Sequence, residues 1–209
     1  FRVCYFQPES ALNQKDAQRY AQNEITCNRQ WFYSDTTHNS VDMVLAVNGI
    51  PVFAFELKNQ FTGQTVENAK QQWMHDRDPR EVCFQFNKRI LGYFCVDLTE
   101  VWMATRLAGK DTRFLPFNQG SNGAGRDGGA GNPPNPDGLM TDYLWKQVLT
   151  KDMLSRIIEN YATLVEEKDE ETGKTRYKQI FPRYHQLTAV ESLLADVKKN
   201  GVGNRYLIQ

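Results

Sequence analysis

The chain has 209 residues, 40% hydrophobic and 12% aromatic, which is enough apolar material for one large domain, or one plus a fragment, and excludes a disordered tail. Its 25 Lys+Arg balance 25 Asp+Glu, so the whole-chain field singles out no nucleic acid, membrane or acidic partner, and any such partner must be met by a local patch. The four cysteines, Cys4, Cys27, Cys83 and Cys95, form no CxxC pair and have no His at zinc-finger spacing, which points to reduced, mostly buried thiols of a cytosolic protein.

No apolar stretch reaches the roughly 20 residues that a membrane helix needs. The opening Phe1-Arg2-Val3-Cys4 is no signal peptide and lacks Met, so the chain is expected to begin inside a longer one. Residues 13–24 carry helical signals, with Leu12, Ala17, Tyr20 and Ala21 on one side of a polar segment. Three strands are expected next, around Gln30-Trp31-Phe32-Tyr33, over 41–47 and over 51–57, all rich in β-branched and aromatic residues. Asn48-Gly49 joins the last two as a hairpin, since both residues tolerate positive φ.

Residues 66–75 read as a crossover helix, with Thr65 as N-cap and Val66, Ala69 and Trp73 at helical spacing. The runs 90–96 and 101–105 form a second hairpin across Asp97-Leu98-Thr99-Glu100. Residues 118–138 hold seven of the 14 glycines and three of the eight prolines, which marks a long loop or linker. Beyond it, 141–165 is amphipathic at helical period, 166–174 reads as a charged turn, and a helix is expected near 185–200 before the apolar Tyr206-Leu207-Ile208. The fold class is α/β: a mixed central sheet flanked by helices, followed by a mostly helical C-terminal segment. The chain divides into a core at 1–117, the loop at 118–140 and the segment 141–209.

The informative charges are Asp42 and Glu56-Leu57-Lys58, the last two at the end of an otherwise apolar strand. Ionised groups in such surroundings need partners, because desolvation costs several kcal/mol. Residues i and i+2 of a strand share a face, so Glu56 and Lys58 project together. If Asp42 reaches that face, two hard oxygen donors meet there and would bind Mg2+, with Lys58 beside the bound water. A two-residue Asn48-Gly49 loop pairs positions so that Asp42 falls opposite Phe55, on the wrong face. A three-residue loop, Asn48-Gly49-Ile50, sets Asp42 opposite Glu56, and that loop is expected, with a bulge or an irregularity near Pro51, which cannot donate a ladder hydrogen bond. An ordinary salt bridge between Lys58 and one acid fits the same spacing.

Asp42, then Glu56-x-Lys58 after a hairpin, then a helix bearing Gln72, resembles the PD-(D/E)xK nuclease core. The stretches Ser40-Val41-Asp42-Met43-Val44-Leu45, Phe55-Glu56-Leu57-Lys58-Asn59, Thr62-Gly63-Gln64-Thr65 and Asp76-Arg77-Asp78-Pro79-Arg80 resemble the N-terminal nuclease region of the restriction (R) subunit of type I restriction-modification enzymes. So do Arg113-Phe114-Leu115-Pro116-Phe117-Asn118, Gly131-Asn132-Pro133-Pro134-Asn135-Pro136 and Phe181-Pro182-Arg183-Tyr184-His185-Gln186-Leu187. The resemblance implies a restriction-endonuclease-like fold and an Mg2+-dependent endonuclease acting on double-stranded DNA. It implies a place at the amino end of an ATP-driven translocating motor that works with methyltransferase and specificity subunits in the prokaryotic cytoplasm. By the same resemblance Asp42 and Glu56 bind the metal, Lys58 positions or activates water, and Gln72 lies close by from the following helix. Related nucleases often carry Tyr four residues after the Gln; here that position is Asp76.

Gln186 resembles the adenine-recognising Gln ahead of the first motor strand, so ATP contact belongs to the full-length subunit. The phosphate loop GxxxxGK(S/T) is absent from the 209 residues, so the resemblance implies that 141–209 is a helical connection and the start of a helicase-like ATPase domain cut before that loop, and that this piece does not itself hydrolyse ATP. His38, His75 and His185 form no HxxxH or HExxH pattern, which disfavours a histidine metal site. Arg77, Arg80, Lys88, Arg89, Arg106, Lys110 and Arg113 give the middle of the chain a basic bias, readable as phosphate contacts or as solvated charge. Trp31, Tyr33, Trp73 and Trp102 are read as core. The alternative to a nuclease is a non-catalytic DNA-binding or assembly domain of the same motor.

Overall fold

The computed structural model of the chain describes residues 3–10, 12–120, 131–168 and 173–208. Helix α1 (Gln14–Ala21) is capped by Asn13, whose side chain accepts the Asp16 N–H. Six strands follow in sheet order, β1 (Ile25–Phe32), β2 (Ser40–Val47), β3 (Ile50–Leu57), β4 (Gly92–Val96), β5 (Val101–Ala104) and β6 (Leu115–Pro116). β3 and β4 are parallel and every other pair is antiparallel, because the connection from β3 to β4 is a crossover carrying α2 (Val66–Gln71).

The centre of the sheet is buried on both sides. On one face Met43, Leu45, Phe53, Phe55, Phe94 and Met103 pack against Phe117, Tyr143, Leu144, Leu154, Ile157, Tyr184 and Leu187. On the other Val44, Ala54, Tyr93 and Cys95 pack against Val66, Ala69, Trp73, Phe84 and Leu107. A strand covered twice reads as an unbroken apolar run, which is why Val52-Phe53-Ala54-Phe55 lacks alternation. Trp73 anchors the α2 layer, donating its indole N–H to the Phe94 carbonyl at 3.1 Å. Trp73 is fully buried, and Trp31, Tyr33 and Trp102 pack against the same cluster. Of the four cysteines, Cys83 and Cys95 are buried, Cys4 is half-buried and Cys27 is exposed.

The β2–β3 turn differs from the expected three-residue loop. Val47 pairs with Ile50, so the loop is Asn48-Gly49, with both residues at positive φ, 49° and 81°. The register then shifts: Ala46 faces Pro51 but Leu45 faces Phe53, leaving Val52 as the extra residue of a bulge. Pro51 brings no N–H to the ladder, and the Val52 carbonyl turns to accept the Leu91 N–H at 2.8 Å. The bulge supplies the one-residue offset that the longer loop was expected to supply.

The ends of the Gly- and Pro-rich stretch are tied together. The Asn132 side chain donates to the Thr99 carbonyl at 2.8 Å and to Asn118 Oδ1 at 3.0 Å, and Asn118 Oδ1 accepts the Val101 N–H at 2.7 Å. The Gly120 N–H meets the Gly131 carbonyl at 2.9 Å. Residues 121–130, the middle of the expected loop, lie outside the described residues.

The continuous helix expected over 141–165 is replaced by shorter pieces. A π turn (Leu144–Val148) is followed by α3 (Lys151–Arg156), whose N-cap Thr150 starts a new helix, and by a second π turn (Ile157–Tyr161). β7 (Thr163–Lys168) then pairs with β8 (Thr175–Ile180), where a helix end and a charged turn were expected; residues 169–172 of that turn lie outside the described residues. Cross-strand pairing wins over the helical period of Leu164 because Thr163 and Val165 are β-branched and find partners in β8. α4 (Tyr184–Asn200) closes the C-terminal segment, and residues 206–208 are in neither helix nor strand.

Candidate functional site

The β2–β3 ladder runs to Met43↔Phe55, and one step further Asp42 stands opposite Glu56. There a side chain replaces the backbone ladder: Asp42 Oδ2 accepts the Leu57 N–H at 2.8 Å and lies 3.8 Å from Lys58 Nζ. On the β1 side the pairs Arg29↔Met43 and Trp31↔Val41 flank Asp42, and Gln30 between them has φ 47°. Asp42 therefore sits where regular pairing lapses on both sides, and its carboxylate takes the Leu57 N–H in place of a ladder carbonyl.

Glu56 alternates with Phe55 and so falls on the face of Ala54 and Cys95, beneath α2. Its residue exposure is 0%, and the Lys58 side chain is 8% exposed against 40% for Asp42. Thr65 caps α2, its Oγ1 accepting the Glu67 N–H while Asn68 Oδ1 accepts the Thr65 N–H. Buried Asp97 holds the same end from the sheet, taking the Val66 N–H on Oδ2 at 3.0 Å and the Thr99 and Glu100 N–H groups on Oδ1. So anchored, α2 delivers Gln72, where the helix widens into a π turn (Gln72–Asp76).

Arg77 follows that turn. Its Nε lies 2.9 Å and its Nη2 2.7 Å from the same atom, Glu56 Oε1. Glu56 Oε2 and Gln72 Oε1 are both out of solvent and have no hydrogen-bond partner. Burial pushes the Glu56 carboxyl up from 4.5 to about 7; Arg77 opposes this, neighbouring Asp42 adds to it, and Lys58 opposes it more weakly.

A bare buried carboxylate oxygen neighbouring a second carboxylate fits a small divalent cation. Such an ion would give Oε2 its missing partner and offset the burial that disfavours the ionised carboxylate. Among the described residues no group of three or more His, Cys, Asp or Glu is placed to hold a metal. Two carboxylates suffice for Mg2+, which keeps several waters and takes further oxygens from phosphate. Beside the cluster, Lys58, Gln64, Asn68, Gln71, Gln72, His75 and Asp76 line a cleft of ≈270 Å³ open to solvent.

The structure thus brings Asp42, Glu56 and Lys58 together, and Gln72 lines the adjoining cleft with Lys58. Gln186 lies elsewhere, in the first turn of α4, where its Oε1 accepts the Arg183 N–H at 2.9 Å and acts as a helix cap. Of the residues read as possible phosphate contacts, Arg77 is buried on Glu56, and Arg80 is paired with Asp78 at 2.8 Å in an exposed turn. Arg77 and Asp97 are the site-building residues that sequence reasoning missed. In the sequence Arg77 shows only as one of several basic residues in the middle of the chain and as part of Asp76-Arg77-Asp78-Pro79-Arg80.

The molecule is a mixed-sheet α/β protein with a buried carboxylate–lysine cluster at the end of its central hairpin. Residues 7–120 match the family model of the type I restriction enzyme R protein N terminus, and the chain belongs to that family. No curated protein matches the chain. Among the described residues no helix is long and apolar enough to cross a membrane.

Proposed function

We propose that this chain is the Mg2+-dependent endonuclease domain of a type I restriction enzyme R subunit. It hydrolyses phosphodiesters of double-stranded DNA with metal-activated water, in a full-length protein that also performs ATP-driven translocation alongside methyltransferase and specificity subunits. The observation that carries this reading is the bare, buried Oε2 of Glu56, whose carboxylate neighbours Asp42 and Lys58, next to an open cleft that Lys58 and Gln72 line together. Family membership supports the restriction role.

Asp42 and Glu56 would hold the cation, with Gln72 Oε1 as a further neutral oxygen. When bound, Mg2+ supplies a lowered water pKa and charge stabilisation at the phosphate. Glu56 contributes its free oxygen from a rigid strand, so little reorganisation is needed as charge develops. Asp42 is held by the Leu57 N–H, which fixes the direction of its carboxylate. Lys58 projects on the same side of β3 as Glu56, and its ammonium can orient a water or meet a phosphate oxygen in the cleft. The widened turn keeps Gln72 at the cleft wall, where DNA entering would exclude bulk water.

The test is a set of single substitutions, Asp42→Asn, Glu56→Gln and Lys58→Met, in the full R subunit assembled with its partners. Loss of double-strand cleavage with unchanged ATP-driven translocation is expected. Cleavage at the unsubstituted rate in all three would favour the non-catalytic DNA-binding or assembly role.

A further inference from the structure

We propose that Arg77 is a positioning residue for the cation site: its guanidinium clamps Oε1 of Glu56 and thereby fixes Oε2 as the oxygen offered to the metal. This inference rests on the metal-dependent hydrolysis proposed above and adds a residue that does not touch the reacting atoms.

The geometry separates it from an ordinary ion pair. An arginine that only neutralises a carboxylate commonly makes two parallel bonds, one to each oxygen. Here Nε at 2.9 Å and Nη2 at 2.7 Å converge on Oε1 alone, and Oε2 is left in a dry site with no partner. A bare buried acceptor is costly unless something completes it, so the clamp makes sense when a second cation occupies the Oε2 side. The guanidinium is itself held in place: its Cζ lies 5.8 Å from the centre of the Tyr33 ring, and its side chain is 10% exposed.

The backbone explains how Arg77 arrives there. A π turn bonds i to i+5, so it returns a residue five positions on toward the side of the first, as an α-helix does at four. Gln72 opens the turn and Arg77 ends it, so Arg77 comes back over the sheet within reach of Glu56 while Gln72 lines the cleft beside Lys58. Because the guanidinium is planar and its donors fixed, it imposes a direction on the carboxylate that the single-point ammonium of a lysine would not.

The experiment uses the full R subunit in its assembled complex. Cleavage rate is measured against Mg2+ concentration, and Mn2+ binding is measured by titration without DNA, for the unsubstituted protein, Arg77→Lys and the control Asp42→Asn. In Arg77→Lys we expect a Mg2+ midpoint and a Mn2+ Kd raised about 10- to 100-fold, as for other residues that orient metal ligands. The rate at saturating Mg2+ should be largely restored. A purely structural ion pair would instead lower the rate at every Mg2+ concentration and leave the midpoint in place, and that result overturns the inference. Tighter Mn2+ binding in Arg77→Lys also overturns it, because Arg77 would then compete with the cation. If the unsubstituted protein shows no Mn2+ binding that Asp42→Asn abolishes, the metal site itself falls, and the role of Arg77 with it. Arg77→Gln, which keeps an N–H donor without the charge, is read by the same midpoint where Arg77→Lys lowers the folded yield.

Discussion

Glu56→Gln should stabilise the magnesium-free protein at alkaline pH, although it removes half of a buried ion pair. Burial is the largest influence on the Glu56 carboxyl and outweighs Arg77, lifting it from 4.5 to about 7. Each tenfold change in proton affinity is worth about 1.4 kcal/mol. The folded state takes up the proton more readily than the unfolded chain, so stability falls as pH rises from about 4.5 through about 7 and is then level. The cost of holding Glu56 ionised is about 3 kcal/mol at pH 8 and no more than about 1 kcal/mol at pH 5. A neutral glutamine imitates the protonated carboxyl and escapes that cost. Its Tm should exceed that of the unsubstituted protein by about 6–12 °C at pH 8, at about 2–4 °C per kcal/mol for a chain of this size, and by far less at pH 5. Thermal melts of both proteins in EDTA across pH 5–8 test this. A Tm difference that stays constant over that range would refute the reasoning, because it would mean that Glu56 does not take up a proton there.

Three other substitutions probe the scaffold and the site. Asp97→Ala removes an acceptor for the buried Val66 N–H as well as for Thr99 and Glu100, and should cost about 2–4 kcal/mol in chemical denaturation, with a fall in Tm. Lys58→Met should leave stability within about 1 kcal/mol, since its contact with Asp42 is 3.8 Å long and Asp42 is 40% exposed, while DNA cleavage in the assembled enzyme is lost. Gln186→Ala removes the cap on the Arg183 N–H, so it should cost about 0.5–1 kcal/mol in thermal melts of this chain.

The strands of the central hairpin and the face shared by Glu56 and Lys58 were legible in the sequence, because strand alternation and the Asn48-Gly49 turn are local. How Asp42 comes opposite Glu56 was not. The offset arises at Val52, whose carbonyl is claimed by the Leu91 N–H from the far side of the crossover, a contact that no window around the turn contains. Arg77 was hidden for a similar reason. In a run alternating Asp and Arg it looks like solvated charge, and only the π turn carries it across 21 positions to Glu56. The C-terminal hairpin was misread because β7 and β8 bury little: Leu164 and Val165 fit a helical period, and their pairing with β8 is decided across the turn rather than within the strand.

Diffraction from crystals soaked in Mn2+ tests the central claim most directly. An anomalous peak bonded to Glu56 Oε2 and to the Asp42 carboxylate, with Arg77 still on Oε1 and Lys58 beside a metal-bound water, is the predicted result. A protein whose Asp42 and Glu56 stay bare under Mn2+ concentrations that support DNA cleavage by the full enzyme would contradict it.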